Sequence, residues 1–565
     1  MALDAAENDD VRAIAAEYWE SLLVAHPTLA TFLGDRRYDD RIEDLSVDAE
    51  AAERRTWADL LARLTAVDAD HLDRSDRVTR GLLLADLGDA VEGVDLRLME
   101  LRSDQLDGVH ADLLTTAPQI NAPTPQSATA LVQRHRQIGA LLDQAVERFR
   151  AGLAAGRAPA RVNVERSLNQ LDGYLASAID DDAFVTLAGP DGWDGEAAWR
   201  AELADVARDV IRPGFARYRD AFADELLPAA RPDDRCGLSW LDDGDEIYAA
   251  LVRHHTSLDL DPEEIHRIGM EEVTEKLPAE YAELGSRVFA TSDLTEIFDR
   301  LRTDRALRYD DAGQIMAAAR TALATAGEAM GAWFGRLPVS GCAIEEVPAF
   351  LAADAPGAYY FPPAGDGSRP GTYFVNTHEP TERNRFEAEA IAFHEAIPGH
   401  HLQIAIATEL DDVPEFQRFS LSNTAYVEGW ALYTERLADE MGLYSDDLAR
   451  IGMLAADSWR ACRLVVDTGL HALGWSRQRA LDFMAANTPV PLDEVAVEID
   501  RYIGLPGQAL AYKLGQREIF RLRHHAQDRL ADRFDIKGFH DVVLGSGAVT
   551  LPILADLVAD WVDAG

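Results

Sequence analysis

The amino-acid sequence predicts a mostly α-helical protein with one small β-sheet. Long segments rich in Ala, Leu, Arg and Glu, with apolar residues three and four positions apart, run from Val11 to about Leu227. Helical segments follow from Asp242 to Gly335, and the same pattern returns after Pro380 and continues to the end of the chain. Because no internal repeat and no long linker interrupts these segments, we expect a single large helical unit.

Strand-forming residues concentrate in one part of the sequence only. Three short runs of β-branched or aromatic residues are separated there by Pro and Gly: Ala343–Val347, Ala358–Phe361 and Thr372–Asn376. The loop Pro362–Gly371 has the composition of a hairpin connection. A sheet at this place offers an edge that an extended peptide can join, and a purely structural hairpin explains the same runs equally well.

The length and composition fit one globular unit. The chain has 565 residues, of which 47% are hydrophobic and 27% are charged, as in ordinary soluble proteins. We expect a single unit over 1–565 with an N-terminal helical region at 1–235. The region 236–565 would then contain the small sheet, at about 343–377, and the helices at 385–440 that carry a histidine motif.

Charge and cysteine content exclude several classes of function. With 99 acidic and 54 basic residues the net charge is -45, which argues against nucleic acid and anionic membranes as partners. Three cysteines far apart form neither a disulfide framework nor a Cys-x-x-Cys site. The first residues lack the basic and apolar regions of a signal peptide, and no apolar run approaches the ~18 residues of a spanning helix. We therefore expect a cytoplasmic protein, and its oligomeric state stays open.

The segment Ala392–Gln403 has the residues of a zinc site in an unusual order. His394 and Glu395 end an alanine-rich apolar segment, and His400 and His401 follow across a Pro-Gly break. The common zinc-hydrolase motif is His-Glu-x-x-His on one helix, but here Pro398 stands at the position of the second histidine.

A break in the helix is necessary for a metal site in this segment. In an unbroken helix His401 would share a face with His394 but lie ~10 Å further along the axis. Two nitrogens that each lie about 2.0–2.1 Å from one zinc ion cannot be that far apart. Pro398 must end or kink the helix, and Gly399 tolerates the backbone that this requires. Either His400 or His401 can then return to His394, and the spacing does not choose between them.

A third ligand would come from a later helix. The segment Ala425–Glu435 supplies Glu428 and Glu435, seven positions apart and on one helical face. Gly429 beside Glu428 would allow another helix to approach closely. An amphipathic helix whose acids face water is the alternative.

Two further sets of polar residues are candidates near the C-terminus. Arg463, Asp467 and His471 are spaced four and four along one helix, as in a network that orients metal ligands or holds a substrate carboxylate. Ordinary intrahelical ion pairs have the same spacing. Tyr512 follows a turn and opens a helix, where its hydroxyl could donate a hydrogen bond to a developing oxyanion or simply be satisfied in the core.

The histidine motif resembles the signature of a known bacterial family. His394-Glu-Ala-Ile-Pro-Gly-His400-His-Leu-Gln403 matches the pattern His-Glu-x-x-Pro-Gly-His-x-x-Gln of the domain-of-unknown-function family 885. Five more segments, in the same order, resemble blocks of that family: Leu33–Asp39, Gly371–Thr377, Tyr426–Ala431, Arg463–His471 and Pro506–Tyr512. The similarity therefore extends over most of the chain.

This resemblance implies a cleft-forming fold with a metal site. The family is similar in build to the helical zinc oligopeptidases and carboxypeptidases related to angiotensin-converting enzyme and thimet oligopeptidase. The roles it implies at the site are metal ligands for His394, His400 and Glu428 and general base for Glu395. The family position after the second histidine is free, which favours His400 over His401.

The resemblance also implies roles for residues around the site. Tyr512 would be the oxyanion donor, and Tyr373 and Asn376 would lie on a strand that binds substrate. Arg463 would meet a substrate carboxylate.

The leading hypothesis from the sequence is a zinc-dependent hydrolase with one Zn²⁺, most simply a peptidase of oligopeptidase or carboxypeptidase type that cleaves short peptides. One alternative is a metallohydrolase that cleaves a non-peptide amide or ester. The other is a non-catalytic helical binding protein with a structural metal site, which would have four protein ligands and no open position. The sequence leaves open endo- or exopeptidase action, side-chain preference and the native metal.

Overall fold

Helices make up most of the protein, as the sequence predicts. The computed structural model describes residues 4–348, 352, 355–363, 369–420 and 422–564. Short 3₁₀ and π-helical turns join several of the α-helices. The N-terminal helices are α1 (Asp4–Ala25), α2 (Pro27–Phe32), α3 (Val47–Thr65), α4 (Arg74–Asp95), α5 (Val109–Thr116), α6 (Pro125–His135), α7 (Ile138–Ala154), α8 (Arg161–Ala176), α9 (Glu196–Val206), α10 (Arg212–Ala221) and α11 (Leu227–Ala229).

The remaining helices lie on either side of the sheet region. Before it are α12 (Gly244–Thr256), α13 (Pro262–Glu271), α14 (Leu277–Val288), α15 (Leu294–Thr303) and α16 (Ala312–Trp333). After it are α17 (Ala388–Glu395), α18 (His400–Thr408), α19 (Glu415–Phe419), α20 (Thr424–Glu440), α21 (Asp447–His471), α22 (Arg477–Asn487), α23 (Leu492–Gly504), α24 (Ala511–Leu530), α25 (Ile536–Leu544) and α26 (Leu551–Ala564). In the described ranges no helix is both long and apolar enough to cross a membrane.

Aspartate side chains fix the starts of several helices. Asp261 accepts the amide hydrogen of Glu263 and precedes Pro262, as the sequence predicts for the start of α13. Asp446 accepts the amide hydrogen of Ala449 at the start of α21. Such a cap contributes about 1 kcal/mol. The cap at Asp446 therefore stabilises the first turn of α21, a 25-residue helix that is mostly buried.

The described sheet has three strands: β1 (Cys342–Glu346), β2 (Ala358–Phe361) and β3 (Gly371–Val375). Each lies within one residue of its predicted position. β3 is the central strand, parallel to β1 and antiparallel to β2, so the predicted β2–β3 hairpin is confirmed. Part of its loop, 364–368, lies outside the described residues.

The central position of β3 corrects one expectation from the sequence. The strand that carries Tyr373 was predicted to bind an extended substrate. Both of its edges are occupied, by β1 and by β2, so its backbone cannot pair with a peptide. An added strand would have to join β1 or β2 instead.

One apolar core joins the two ends of the chain. It includes Leu60 and Leu83 from α3 and α4, Trp430 from α20, and Val558 from α26. A second core surrounds α21 and α23, and a third lies within residues 109–230. The N-terminal region 1–235 therefore does not share a single core, because its first helices pack against the C-terminal ones.

Helices α20 and α24 cross at two glycines. A Cβ on Gly429 would lie 2.5 Å from Cα of Gly515, and a Cβ on Gly515 would lie 1.8 Å from the carbonyl oxygen of Ala425. The close helix approach predicted for Gly429 is therefore confirmed. It sets the position of the neighbouring residue, Glu428.

Replacing Gly429 by Ala should destabilise the protein by about 1–3 kcal/mol or more, because the methyl group must push two backbones apart. Gly173 in α8 is the matched control, since a Cβ there meets nothing within 4 Å. Gly173→Ala should leave stability unchanged or raise it by about 0.4–1 kcal/mol. Chemical denaturation monitored by circular dichroism measures both changes, and equal stabilities of the two variants would contradict the close crossing.

Candidate metal centre

The helix that carries His394 ends directly after it. α17 stops at Glu395, and α18 begins at His400. A Cβ on Gly399 would lie 1.9 Å from the carbonyl oxygen of His394, so this close return of the chain requires glycine. The predicted helix break is confirmed. It brings the imidazole rings of His394 and His400 to a centroid distance of 4.8 Å, at 90° to each other.

Helix α20 adds a carboxylate to this pair. Glu428 Oε2 lies 3.6 Å from His394 Nε2 and 3.5 Å from His400 Nε2. Both histidines are buried, whereas 19% of the Glu428 side chain is exposed. Burial alone would raise the pKa of Glu428, but the two imidazoles hold it well below its ordinary value. The three side chains therefore form one compact, electrostatically coupled group that solvent reaches through Glu428.

His394 contacts a second carboxylate through its other ring nitrogen. His394 Nδ1 and Glu435 Oε1 are 2.8 Å apart, and both side chains are buried. Burial lowers the pKa of His394, but Glu428 and Glu435 raise it to about 9. Glu435 keeps a proton on Nδ1 and thereby leaves Nε2 as the atom that faces Glu428. The sequence predicts that Glu428 and Glu435 share one helical face. It does not show that Glu435 contacts Nδ1 of His394 while Glu428 lies near Nε2 of the same ring.

Replacing Glu435 by Gln should weaken zinc binding by about 10- to 100-fold, the usual effect of removing the partner that orients a histidine ligand. The amide keeps the size of the side chain and removes its charge. The zinc dissociation constant is measured by competition with a chromophoric chelator. Glu328→Gln, at an exposed site on α16, is the control and should leave that constant unchanged. Equal constants in both variants would show that Glu435 does not support the ligand.

Glu395 faces the same region from the end of α17. It follows His394 by one residue, about 100° around the helix. Its side chain is partly exposed. Burial raises the pKa of Glu395, while the charges of His394, His400 and Arg460 lower it without cancelling the rise. A raised pKa suits a carboxylate that takes up a proton and releases it again.

His401 lies on the side of α18 that faces the sheet. Its Nδ1 is 3.0 Å from the hydroxyl of Tyr360 on β2, and burial lowers the pKa of His401 to about 4. A Cβ on Gly371 would lie 2.1 Å from that hydroxyl, so glycine is needed for the contact. The structure therefore brings His400, and not His401, to His394.

The two sheet residues predicted to bind substrate have different surroundings. Tyr373 is buried, and burial and then the charge of Glu395 raise its pKa, so Tyr373 lies next to the candidate base. Asn376 is also buried. Its amide nitrogen donates to the carbonyls of Ala352, Ala355 and Pro356, and its oxygen accepts the amide hydrogen of His378. Asn376 therefore stabilises a loop, and both of its amide hydrogens are already used. This corrects the expectation that Asn376 binds substrate.

Arg463 already has partners within the protein. Its Nε donates to the Tyr502 hydroxyl at 2.7 Å, and Nη2 lies 3.0 Å from Glu498 Oε2. The side chain is buried, with its guanidinium carbon 4.4 Å from the Tyr512 ring. Arg463 therefore joins α21 to α23 through an ion pair that a substrate carboxylate would have to displace. Its Nη1 has no hydrogen-bond partner among the described residues, and the substrate contact stays a prediction.

Tyr512 lies about one helical turn before the α20–α24 crossing. It precedes Gly515 by three residues, and Gly515 contacts Gly429 next to Glu428. The centroid of the Tyr512 ring lies 4.4 Å from the guanidinium carbon of Arg463 and 6.0 Å from that of Arg460. Its role as an oxyanion donor stays a prediction.

Asp467 and His471 do not contact the metal cluster. Asp467 accepts hydrogen bonds from the Tyr248 hydroxyl and from the Gly507 amide, at 2.6 and 3.1 Å. His471 Nδ1 accepts the Leu238 amide hydrogen at 3.1 Å, and its Nε2 lies 2.9 Å from the Tyr502 carbonyl oxygen. The prediction that they orient metal ligands is therefore wrong. Their partners lie far away in sequence, so the four-residue spacing along α21 gave no sign of them.

A buried network that the sequence did not predict holds the site's helices together. Asp457 on α21 pairs with Lys513 on α24 and accepts a 2.8 Å hydrogen bond from Arg436 Nε on α20. Burial would raise the pKa of Asp457, but Lys513 and Arg436 lower it to about 2. The sequence contained one signal, since Lys513 is one of only three lysines in the chain.

The residues present fit a zinc ion. One ligand atom each from His394, His400 and Glu428 lies within 4.8 Å of the others. Their distances of 3.5 and 3.6 Å compare with about 3.3 Å between neighbouring ligands of a tetrahedral zinc ion. Two imidazoles and one carboxylate form the donor set of several hydrolytic zinc sites. Among the described residues no fourth side chain completes this group.

Comparisons with known proteins give a family and a fold. The model of the family described as "Bacterial protein of unknown function (DUF885)" matches residues 27–558. A structure described as "the putative lipoprotein from Colwellia psychrerythraea" is similar with a TM-score of 0.92 and 26% identity, covering 99% of this chain and 100% of that one. A "putative lipoprotein of unknown function from Shewanella oneidensis" has a TM-score of 0.77 and 18% identity, covering 97% of this chain and 99% of the other. Among curated proteins none matches.

Proposed function

The chain belongs to the DUF885 family of bacterial proteins of unknown function, and we propose that it is a zinc-dependent hydrolase that cleaves short peptides. The observation that carries the proposal is a group of three ligand side chains with a partly exposed glutamate, Glu395, directly beside it. Three protein ligands leave one position open, as in catalytic zinc sites, whereas structural sites are closed by four. This favours a hydrolase over a binding protein with a structural metal.

His394, His400 and Glu428 would hold the metal, and Glu435 fixes the ring of His394 through the 2.8 Å contact. Zinc bound there would act as a Lewis acid and would lower the pKa of a bound water molecule. Glu395 accepts a proton on its carboxylate and then delivers it to the leaving amine, a task that its raised pKa favours. The Tyr512 hydroxyl donates to the oxygen of the attacked carbonyl.

Access to the site favours small substrates. The histidines are buried, and solvent reaches the group through Glu395 and Glu428, which retain partial exposure. An unfolded short peptide reaches ligands that are mostly buried more easily than a folded protein does.

Metal removal tests the proposal. Purified protein should contain one equivalent of zinc and hydrolyse members of a defined peptide mixture. A strong chelator should abolish this activity, and zinc should restore it. Elemental analysis and mass spectrometry of the products are the measurements, with a panel of simple amides and esters alongside. Protein without stoichiometric metal, or hydrolysis that persists after complete metal removal, would contradict the proposal. Cleavage of simple amides or esters without cleavage of any peptide would contradict only the assignment of peptides as substrates.

A further inference from the structure

One arginine beside the candidate site has no carboxylate partner. Arg460 lies on α21, and no acidic side chain of the described residues is within 4.0 Å of its guanidinium group. Its Nε is buried without a hydrogen-bond partner, and Nη1 makes only a 3.4 Å contact to the carbonyl of Ala456 in the same helix. Arg460 is therefore a partly exposed cation whose charge no contacting carboxylate in the described ranges neutralises.

The neighbouring arginines show the contrast. Arg463 and Arg501 both pair with Glu498, at 3.0 and 3.2 Å. Arg436 pairs with Asp457 and Glu280. These cations are neutralised within the protein and anchor one helix to another. Of these four arginines, Arg460 is the one whose guanidinium group contacts no carboxylate of the described residues.

Arg460 is nevertheless held in place. Its guanidinium carbon lies 4.8 Å from the ring of Trp459 and 6.0 Å from the ring of Tyr512. Contacts of this kind orient a planar guanidinium group and cost it little of its hydrogen-bonding capacity. A preoriented cation loses less entropy when it binds an anion than a freely moving one.

Arg460 lies close to the helix that carries the candidate base. Its positive charge acts on Glu395, at the end of α17, and on Glu387, at the start of that helix; burial raises the pKa of both, and Arg460 reduces the rise. Helices α17 and α21 pack against each other. Tyr512, which contacts Arg460, is also next to the α20–α24 crossing that positions Glu428. Arg460 therefore borders the same site as the metal cluster.

We propose that Arg460 binds a carboxylate group of the substrate and makes that carboxylate a requirement for tight binding. The proposal rests on the proposed function, because it concerns a substrate of the same site. The guanidinium group can donate two parallel hydrogen bonds to one carboxylate, which gives both affinity and orientation. The sequence suggested Arg463 as the residue that binds a substrate carboxylate. We assign that role to Arg460, three positions earlier on α21, because no carboxylate in the described part of the chain contacts its guanidinium group.

The carboxylate can come from two parts of a peptide, its C-terminus or the side chain of an acidic residue. Binding to a zinc-loaded Glu395→Gln protein, in which turnover is blocked, separates the two. Isothermal titration calorimetry would compare three N-acetylated tripeptides. The first has a free C-terminal carboxylate, the second has a C-terminal amide, and the third has a C-terminal amide and one glutamate residue. Selective binding of the first assigns the C-terminus, and selective binding of the third assigns the side chain.

Substitutions of Arg460 then test the residue itself. Arg460→Gln in the same background should weaken binding of the carboxylate peptide about 10- to 100-fold and leave the amide unaffected, because a charged hydrogen bond is lost. Arg460→Lys, which keeps the charge, should recover part of the loss. Arg320→Gln, at an exposed site on α16, is the matched control and should bind all three peptides as before. Thermal melting checks that each variant is folded.

The outcomes separate the two proposals. Equal affinities for all three peptides, or an unchanged preference in a folded Arg460→Gln protein, would overturn the role of Arg460 even if zinc and hydrolysis are present. Zinc content and hydrolysis are measured on unsubstituted protein from the same preparation. If neither is found while the Arg460-dependent preference persists, the carboxylate site stands and the hydrolase proposal fails.

Discussion

Glu395→Gln is expected to abolish hydrolysis and to leave zinc in place. The amide has the shape of the carboxylate, but it cannot accept the proton that the attacking water must lose. General acid–base groups contribute about 10²- to 10⁴-fold, so we expect a fall in kcat of that size or larger with little change in KM. Glu395 is not one of the three grouped ligand residues, so the metal content should stay at one equivalent.

A glutamate on the same helix provides the control for this substitution. Glu389 in α17 accepts a 2.9 Å hydrogen bond from the Ser445 amide, and the oxygen of a glutamine can accept it equally well. Glu389→Gln should therefore keep both zinc and activity. Steady-state kinetics and elemental analysis are run on both variants. Full activity of Glu395→Gln would show that Glu395 is not the general base. Loss of zinc from Glu395→Gln but not from Glu389→Gln would show that Glu395 is a metal ligand.

The local parts of the fold could be predicted from the sequence. The strands follow from β-branched and aromatic runs between Pro and Gly, and all three lie within one residue of their predicted positions. The helix break at Pro398 follows from the missing amide hydrogen. The crossing at Gly429 was also foreseeable, because a glycine beside a candidate ligand permits close approach. Each of these conclusions depends on residues close together in the chain.

The long-range partners of polar residues could not be predicted. Asn376 is bound by carbonyls of a loop about 20 residues earlier, and Asp467 by Tyr248, 219 positions away. Spacing along one helix indicates which side chains share a face, but it does not show what lies opposite that face. For this reason the spacing along α21 could not show that Glu498 pairs with Arg463, while Arg460 has no such partner among the described residues.

The adjacent histidines allow the sharpest test of the metal site. His400→Gln should lose zinc, whereas His401→Gln should retain it. His400 Nε2 faces Glu428 at 3.5 Å, while His401 Nδ1 contacts Tyr360 at 3.0 Å on the other side of α18. Removing a direct ligand should weaken zinc binding by more than the about 10- to 100-fold loss expected for an outer partner such as Glu435.

The same pair separates loss of metal from loss of stability. His401→Gln removes one hydrogen bond between α18 and the sheet, which contributes about 0.5–1.5 kcal/mol, so its unfolding midpoint should fall slightly at full zinc content. His400→Gln should lose the stabilisation that bound zinc gives, and added zinc should no longer raise its melting temperature. If His401→Gln were instead the variant without zinc, α18 would have to rotate by about 100° from its position here. If both variants bound zinc as the unsubstituted protein does, neither histidine would be a ligand, and the metal centre would have to be sought elsewhere in the chain.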